Sequence, residues 1–251
     1  MRFGRRRLER PAGLHAAGVS ERGPVRAQNQ DACLVDAEHG LFAVADGMGG
    51  HQAGEVASGL VVEHLPAALA RARSRIRSEP AALAAAVWEL HELVLATAAG
   101  DPALDGMGTT VVVATVRDGT ADLVHVGDSR AYLLRAGELT QLTVDHSAAT
   151  ELTRAGVLSA EQAAAHPLAH QLTRAVGMPG SASPSRRRVR LAVGDRLLLC
   201  SDGLSNALDD GRIAQLLAAA PSPEAACRAL VDQAGAAGAR DNVTAVVVQA
   251  R

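Results

Sequence analysis

The chain has 251 residues, a formal net charge of −2 and only 2% aromatic residues. That length allows one large domain or two small ones, with a core that removes most of the unfolded surface from water. The near-neutral charge excludes bulk attraction to nucleic acid or anionic lipid, and the lack of aromatics excludes a base-stacking platform.

All 25 cationic residues are arginine, and the core has to be built from Ala, Val and Leu. Cys33, Cys200 and Cys227 are few and widely spaced, so neither a disulfide framework nor a zinc pattern follows, and a reducing cytoplasm fits. Cys200 lacks the following arginine that a thiolate phosphate loop requires. No apolar run of transmembrane length is evident, and the basic start Met1–Arg10 is not followed by the apolar stretch of a signal peptide. The expected organisation is a solvated basic tail over residues 1–12 and one domain over residues 13–251.

In chain order, His15–Ser20 reads as a strand and Glu21–Pro24 as a turn. Arg26 and the polar Asn29-Gln30-Asp31 follow, then a strand pair over Ala32–Val35 and Gly40–Ala45. The second of these runs into Asp46-Gly47-Met48-Gly49-Gly50-His51, a carboxylate followed by bare backbone. That stretch suits either an Asp-Gly turn or a hard cation or phosphate held close to the main chain. Gly54–Arg75 and Pro80–Ala98 have helical apolar spacing, with Pro66 a candidate kink in the first. Gly108–Val116 is β-branched and strand-like, and Ala121–Val126, Ala131–Leu134 and Leu139–Leu142 continue the strands around Gly127-Asp128-Ser129-Arg130. Ala148–Ala165 is helical with a break near Gly156, and Thr173–Arg190 reads as an exposed loop whose Arg186–Arg190 run is a solvated face. A strand over Arg196–Ser201 ends in Asp202-Gly203; helices over Asp210–Ala219 and Ser222–Ala237 precede Asp241-Asn242 and a last strand, Val243–Gln249. Strands grouped apart from helices, with Asp-Gly and Gly-Glu turns, predict an α+β layered sandwich with antiparallel sheets.

Asp31, Asp46, Asp128, Asp202 and Asp241 each stand beside a strand end and next to a polar or turn residue. Singly each suits a turn or cap; converging, they would repel unless cations lay among them. Oxygen-only ligands select Mg²⁺ or Mn²⁺, and two such ions suit phosphate-ester hydrolysis, with Arg26 available as a fork for phosphate oxygens.

Arg26-x-x-Asn-Gln-Asp31, Asp46-Gly-Met-Gly-Gly-His51, Gly108-Thr-Thr110, Gly127-Asp-Ser-Arg130, Asp145-His-Ser147, Ser201-Asp-Gly203 and Asp241-Asn-Val-Thr244 occur in this order. Together they resemble the bacterial form of the metal-dependent protein phosphatases, the type 2C serine/threonine phosphatases. The resemblance implies a four-layer αββα sandwich and hydrolysis of phosphoserine and phosphothreonine by a metal-activated water at a binuclear Mn²⁺ or Mg²⁺ centre. Asp46 would bridge the ions, the Gly47 carbonyl would join the second, Asp202 and Asp241 the first, and Asp128 with Asp202 a third. Asp31 would orient the water, Arg26 would hold phosphate, and about Asp145–Gly177 would be a flap. Two positions depart from the pattern: Gln30 stands where many members have Glu, and Met48 where others carry a His, leaving His51 and water as candidate proton donors. The implied setting is a cytoplasmic, monomeric enzyme acting on phosphoproteins, among them a Ser/Thr kinase and its targets. A partner-switching phosphatase for one phosphorylated regulator and a non-catalytic module of the same fold are the alternatives.

Overall fold

The structure, a computed structural model, describes residues 13–49, 53–164, 166–169, 171–180 and 182–251. The basic tail over 1–12 and His51 lie outside the described residues. Among the described residues, eleven strands and seven α-helices are formed: β1 (Leu14–Glu21), β2 (Asp31–Asp36), β3 (Leu41–Met48), α1 (Ala53–Arg75), α2 (Glu79–Gly100), β4 (Gly108–Thr109), β5 (Val111–Arg117), β6 (Thr120–Val126), β7 (Arg130–Arg135), β8 (Glu138–Gln141), α3 (Ala148–Arg154), α4 (Ala160–Ala164), β9 (Ser185–Arg190), β10 (Arg196–Cys200), α5 (Asp202–Ser205), α6 (Asp210–Ala219), α7 (Pro223–Ala236) and β11 (Val243–Ala250). One sheet has the order β1-β11-β10-β7-β8 and the other β2-β3-β5-β6-β9, with β4 paired to β3; every pairing is antiparallel.

The near-continuous apolar runs of the strands follow from burial on both faces. Along β3, Phe42 and Val44 point between the sheets, whereas Ala43 and Ala45 pack under α1 and α2. Along β10, Leu197 and Leu199 point inward while Leu198 and Cys200 face α6 and α7. β11 alternates in the same way, Val246 and Val248 inward, Ala245 and Val247 outward. Three apolar layers thus separate four structural ones, the predicted αββα sandwich.

Three local expectations change. Residues 185–190 form β9, an edge strand on β6, instead of the end of an exposed loop. Arg188 crosses to Asp122 on β6, Nη2 to Oδ2 at 3.0 Å, so the strand is held by its ladder and ion pairing where no apolar alternation announces it. The Gly108–Val116 strand is split at Thr110, with β4 on β3's far end and β5 on its first half. α1 continues unbroken through Pro66, which stands on its exposed side. α2 is, by length and composition, able to cross a membrane, with 22 residues and a mean hydropathy of 1.4. In this fold its Leu83, Val87, Leu90 and Val94 are buried in the outer core layer.

The segment between β8 and β9, carrying α3 and α4, is tied down at both ends. The His146 N–H donates to Gly127 O at 3.0 Å, the Gly127 N–H donates to His146 Nδ1 at 3.1 Å, and the Thr173 N–H donates to His146 O at 2.9 Å. Because Nδ1 accepts, Nε2 carries the proton and meets Ser185 Oγ at 2.8 Å. His125 stacks on this ring at 4.6 Å and donates from Nε2 to Val144 O at 2.9 Å. At the far end Thr109 and Val176 exchange two backbone bonds, and the Gly177 N–H donates to His91 Nδ1 at 3.0 Å.

Burial, followed by His125, Arg174 and Arg154, lowers the His146 pKa to about 3. The unfolded chain takes up a proton there near pH 6.5 and the folded chain does not, so stability is full above that value and is lost as pH falls below it. His146→Gln should remove that dependence: the native chain's stability advantage over the variant should shrink by up to about 1.4 kcal/mol per pH unit below pH 6.5. Urea unfolding at pH 7 and pH 5 measures it, and an advantage independent of pH rules the argument out.

Candidate metal centre

β2 and β3 pair so that Asp31 lies directly opposite Asp46. Both carboxylates therefore rise from one end of the second sheet. At the same end of the first sheet, β10 delivers Ser201 and Asp202, and the approach to β11 delivers Asp241 and Asn242.

The sheets are joined at Asp31. Ser201 Oγ and Thr244 Oγ1 each donate to Asp31 Oδ2 at 2.7 Å, and Ser201 Oγ accepts the Thr244 N–H at 3.0 Å. Since Thr244 gives its proton to Asp31, it accepts from Ser20 Oγ at 2.7 Å, and Ser20 accepts from Asn29 Nδ2 at 2.9 Å. Asp31 Oδ1 is buried and accepts no hydrogen bond.

Gln30 and Asn242 hold the floor. Gln30 O accepts from the Gly47 N–H at 3.1 Å and from Ser58 Oγ at 2.6 Å; the Gln30 N–H donates to Asn242 Oδ1 at 2.9 Å. The Asn242 amide donates to the carbonyls of Arg22 and Gln28, each at 2.8 Å. Two glycines are demanded by contact: a Cβ on Gly47 would stand 2.0 Å from Gly54 O, and one on Gly203 2.0 Å from Asn242 O. The Asp46-Gly47 pair is thus strand backbone pressed against α1, not a hairpin turn. Beyond it, Thr110 accepts the Asp46 N–H at 3.1 Å and meets Ser129 at 2.7 Å, which binds the Asp128 loop to β3.

Arg26 Nη2 donates to Asp241 Oδ2 at 2.6 Å, and its side chain is half exposed. Together with Gln30, Asp46, Gly47, Met48, Thr110, Asp128, Asp202 and Asp241 it lines a cleft of about 570 Å³. Met48 contributes no ionisable group there, and its Cε packs on Gly108.

The five aspartates share one electrostatic environment. Burial first, then the charges of Asp31, Asp202, Asp128 and Asp241, pushes Asp46 well above the usual carboxylate range. Burial raises Asp31 to about 7 against the pull of the Thr244 and Ser201 hydroxyls, with Asp202 and Asp241 adding to the rise. Burial, Asp202 and Asp145 raise Asp128 to about 7. Carboxylates that raise one another in this way are matched by cations more readily than by hydrogen-bond donors. Among the described residues, no three acidic, imidazole or thiol side chains already close on one point. A hard cation that keeps several waters and takes a backbone carbonyl does not need such a cage. The oxygen-only donors and the bare Asp31 Oδ1 fit Mg²⁺ or Mn²⁺ in this cleft.

Of the described residues singled out in the sequence for this site, Arg26, Gln30, Asp46, Gly47, Asp128, Asp202 and Asp241 line the cleft, and Asp31 stands opposite Asp46 on the neighbouring strand. The sequence assigns no role to the residues that hold them, chiefly Ser201, Thr244 and Asn242, which appear there only as motif members, and Ser58. Ser201 and Thr244 each sit within three residues of a singled-out aspartate, but only the sheet pairing shows that both aim at Asp31.

The profile of the protein phosphatase 2C family matches residues 24–239. The serine/threonine protein phosphatase PstP of Mycobacterium tuberculosis is 42% identical over 240 residues, which are 93% of this chain and 44% of that protein, so the chain spans less than half of that relative. The serine/threonine phosphatase Stp of Listeria innocua is 34% identical over 94% of this chain and 96% of its own length. The solved catalytic domain of PstP in complex with two manganese ions superimposes with a TM-score of 0.80 at 40% identity, covering 94% of this chain and 98% of that one. With these likenesses extending across the sandwich and its aspartate cleft, the chain belongs to the protein phosphatase 2C family of serine/threonine phosphatases.

Proposed function

We propose that this chain removes phosphate from phosphoserine and phosphothreonine in proteins at the aspartate cleft. The observation that carries the reading is the direct opposition of Asp31 and Asp46 across β2 and β3 at the end where both sheets meet. Family membership and the manganese-bound PstP domain support it.

Asp46 and the Gly47 carbonyl, with Asp202 and Asp241, would hold two Mn²⁺ or Mg²⁺ ions, and Asp128 with Asp202 a third. Such ions supply Lewis acidity that lowers the pKa of water and offsets charge on the phosphoryl oxygens. The chain's own groups do the rest. Asp31 has Oδ2 fixed by two hydroxyls, so Oδ1 is its remaining acceptor and is the atom placed to orient a water or take its proton. Arg26 keeps Nη2 on Asp241 and turns the remaining donors of its fork to the phosphate. Gln30, a neutral amide, contributes its backbone to the floor. Met48 cannot protonate the leaving oxygen. His51 lies outside the described residues and keeps only the standing its sequence position gives it.

One catalytic domain over residues 13–251, acting in the cytoplasm on a kinase and its targets, is the setting we infer. Three free thiols, two of them buried, are compatible with a reducing compartment. The full aspartate set speaks against a non-catalytic module.

Asp46→Asn should lower kcat/KM on p-nitrophenyl phosphate with Mn²⁺ by roughly three orders of magnitude, the rate equivalent of about 4 kcal/mol. It should also weaken Mn²⁺ binding in calorimetry, and a variant that bound and turned over like the native chain would refute the assignment. Arg26→Ala should act mainly on substrate affinity, raising KM about tenfold with Mn²⁺ stoichiometry unchanged, as expected for one charge-assisted pair. Steady-state kinetics beside calorimetry separates that from a loss of metal.

A further inference from the structure

The aspartate cleft does not end at Asp128 and Asp202. The same two residues also line a second cleft of about 680 Å³, walled by α3 on one side and by Ser205 and Asn206 on the other. The two clefts therefore share a wall, and a polypeptide whose phosphoserine enters the first can place neighbouring residues in the second.

The charges of this second cleft decide what it accepts. Asp145 is taken up by Arg130, with Nη2 to Oδ2 at 2.7 Å and Nε to both oxygens at 3.1 Å. Asp128 and Asp202 belong to the metal cleft in the reading above. What remains is Arg154, in the last turn of α3, exposed and in no ion pair among the described residues. Its charge is felt by His125 and His146, so the guanidinium stands within electrostatic reach of the segment's anchor. Hydroxyls of Ser147 and Thr150 share the wall with it. A guanidinium beside hydroxyl groups, with Asp145 already held by Arg130, suits an anion.

We propose that this cleft is a second substrate subsite, in which Arg154 receives an anionic side chain, carboxylate or phosphate, carried near the phosphoserine on the same polypeptide. The proposal rests on the phosphatase reading of the adjoining cleft. It gives the site a preference for acidic or multiply phosphorylated segments over basic ones.

The test uses phosphoserine peptides that differ at one flanking position, scanned over four residues on either side, with Glu, a second phosphoserine, Ala or Lys. Native chain and the variants Arg154→Gln and Arg154→Glu are assayed with Mn²⁺, beside p-nitrophenyl phosphate, which is too small to reach the second cleft. On one side of the phosphoserine the native chain should favour Glu or phosphoserine over Lys by about tenfold in kcat/KM, the size of one charge-assisted pair. Arg154→Gln should level that preference and Arg154→Glu invert it, with p-nitrophenyl phosphate turnover changed less than twofold. A larger gain with phosphoserine than with Glu identifies phosphate as the preferred anion; equal gains identify any anion. Equal loss on all peptides, or an unchanged order of preference, overturns the proposal. If the native chain hydrolysed no phosphoester, the phosphatase reading would fall, and fluorescence polarisation with labelled peptides would still decide the subsite. Tighter binding of the Glu peptide to native chain than to Arg154→Glu supports it, and equal binding overturns it.

Discussion

One carboxylate oxygen ties the two sheets together at the functional end, beside the Gln30–Asn242 bond. Asp31 Oδ2 collects Ser201 from β10's end and Thr244 from β11, while Asp31 itself belongs to β2 of the other sheet. Apolar contacts between two sheets packed face to face are non-directional and by themselves leave some freedom in how the sheets align. Directional bonds from two strands to one oxygen remove that freedom. The spacing of Asp46, Asp202 and Asp241 is then set by strand register, because each lies within a residue or two of a strand end that Asp31 helps to fix. The cost is a buried carboxylate, and two hydroxyl donors offset part of it.

The same economy explains the glycines. Cations held partly by backbone require the main chain to come close, and a side chain would block it. Gly47 lies against α1 and Gly203 against the Asn242 carbonyl at distances that leave no room for a methyl group. The sequence signals these places as Asp-Gly pairs, which in isolation look like hairpin turns. The structure separates the two meanings: Asp46-Gly47 continues a strand and Asp202-Gly203 opens a short helix.

Most of the sandwich is legible in the sequence, because strands buried on both faces leave long runs of Val, Ala and Leu between turn residues. β9 is the exception, since its Arg-rich stretch has the composition of a solvated face. An edge strand keeps charged residues because its outer side meets water, and they discourage pairing with other chains. Propensity and periodicity therefore carry little information where the partner strand supplies the order, as β6 does here through its ladder and Asp122. The site is legible in its ligands and not in its supports. Aspartates beside glycines stand out at any position, whereas Ser201, Thr244 and Asn242 are ordinary residues until the pairing of β1, β10 and β11 aims them inward.

His146 shows how the α3–α4 segment and the sheets share residues. Its backbone bonds both the Gly127 turn, one residue before Asp128, and Thr173 at the far side of the segment carrying α3 and α4. Its ring bonds the same turn again and reaches Ser185 at the start of β9. A neutral, buried imidazole has one donor and one acceptor at opposite edges, a span that neither hydroxyl nor amide side chains reproduce with the same rigidity. The segment is thereby anchored at the turn that also presents Asp128 to the cleft. The position of α3 and that of Asp128 are therefore set through the same residue.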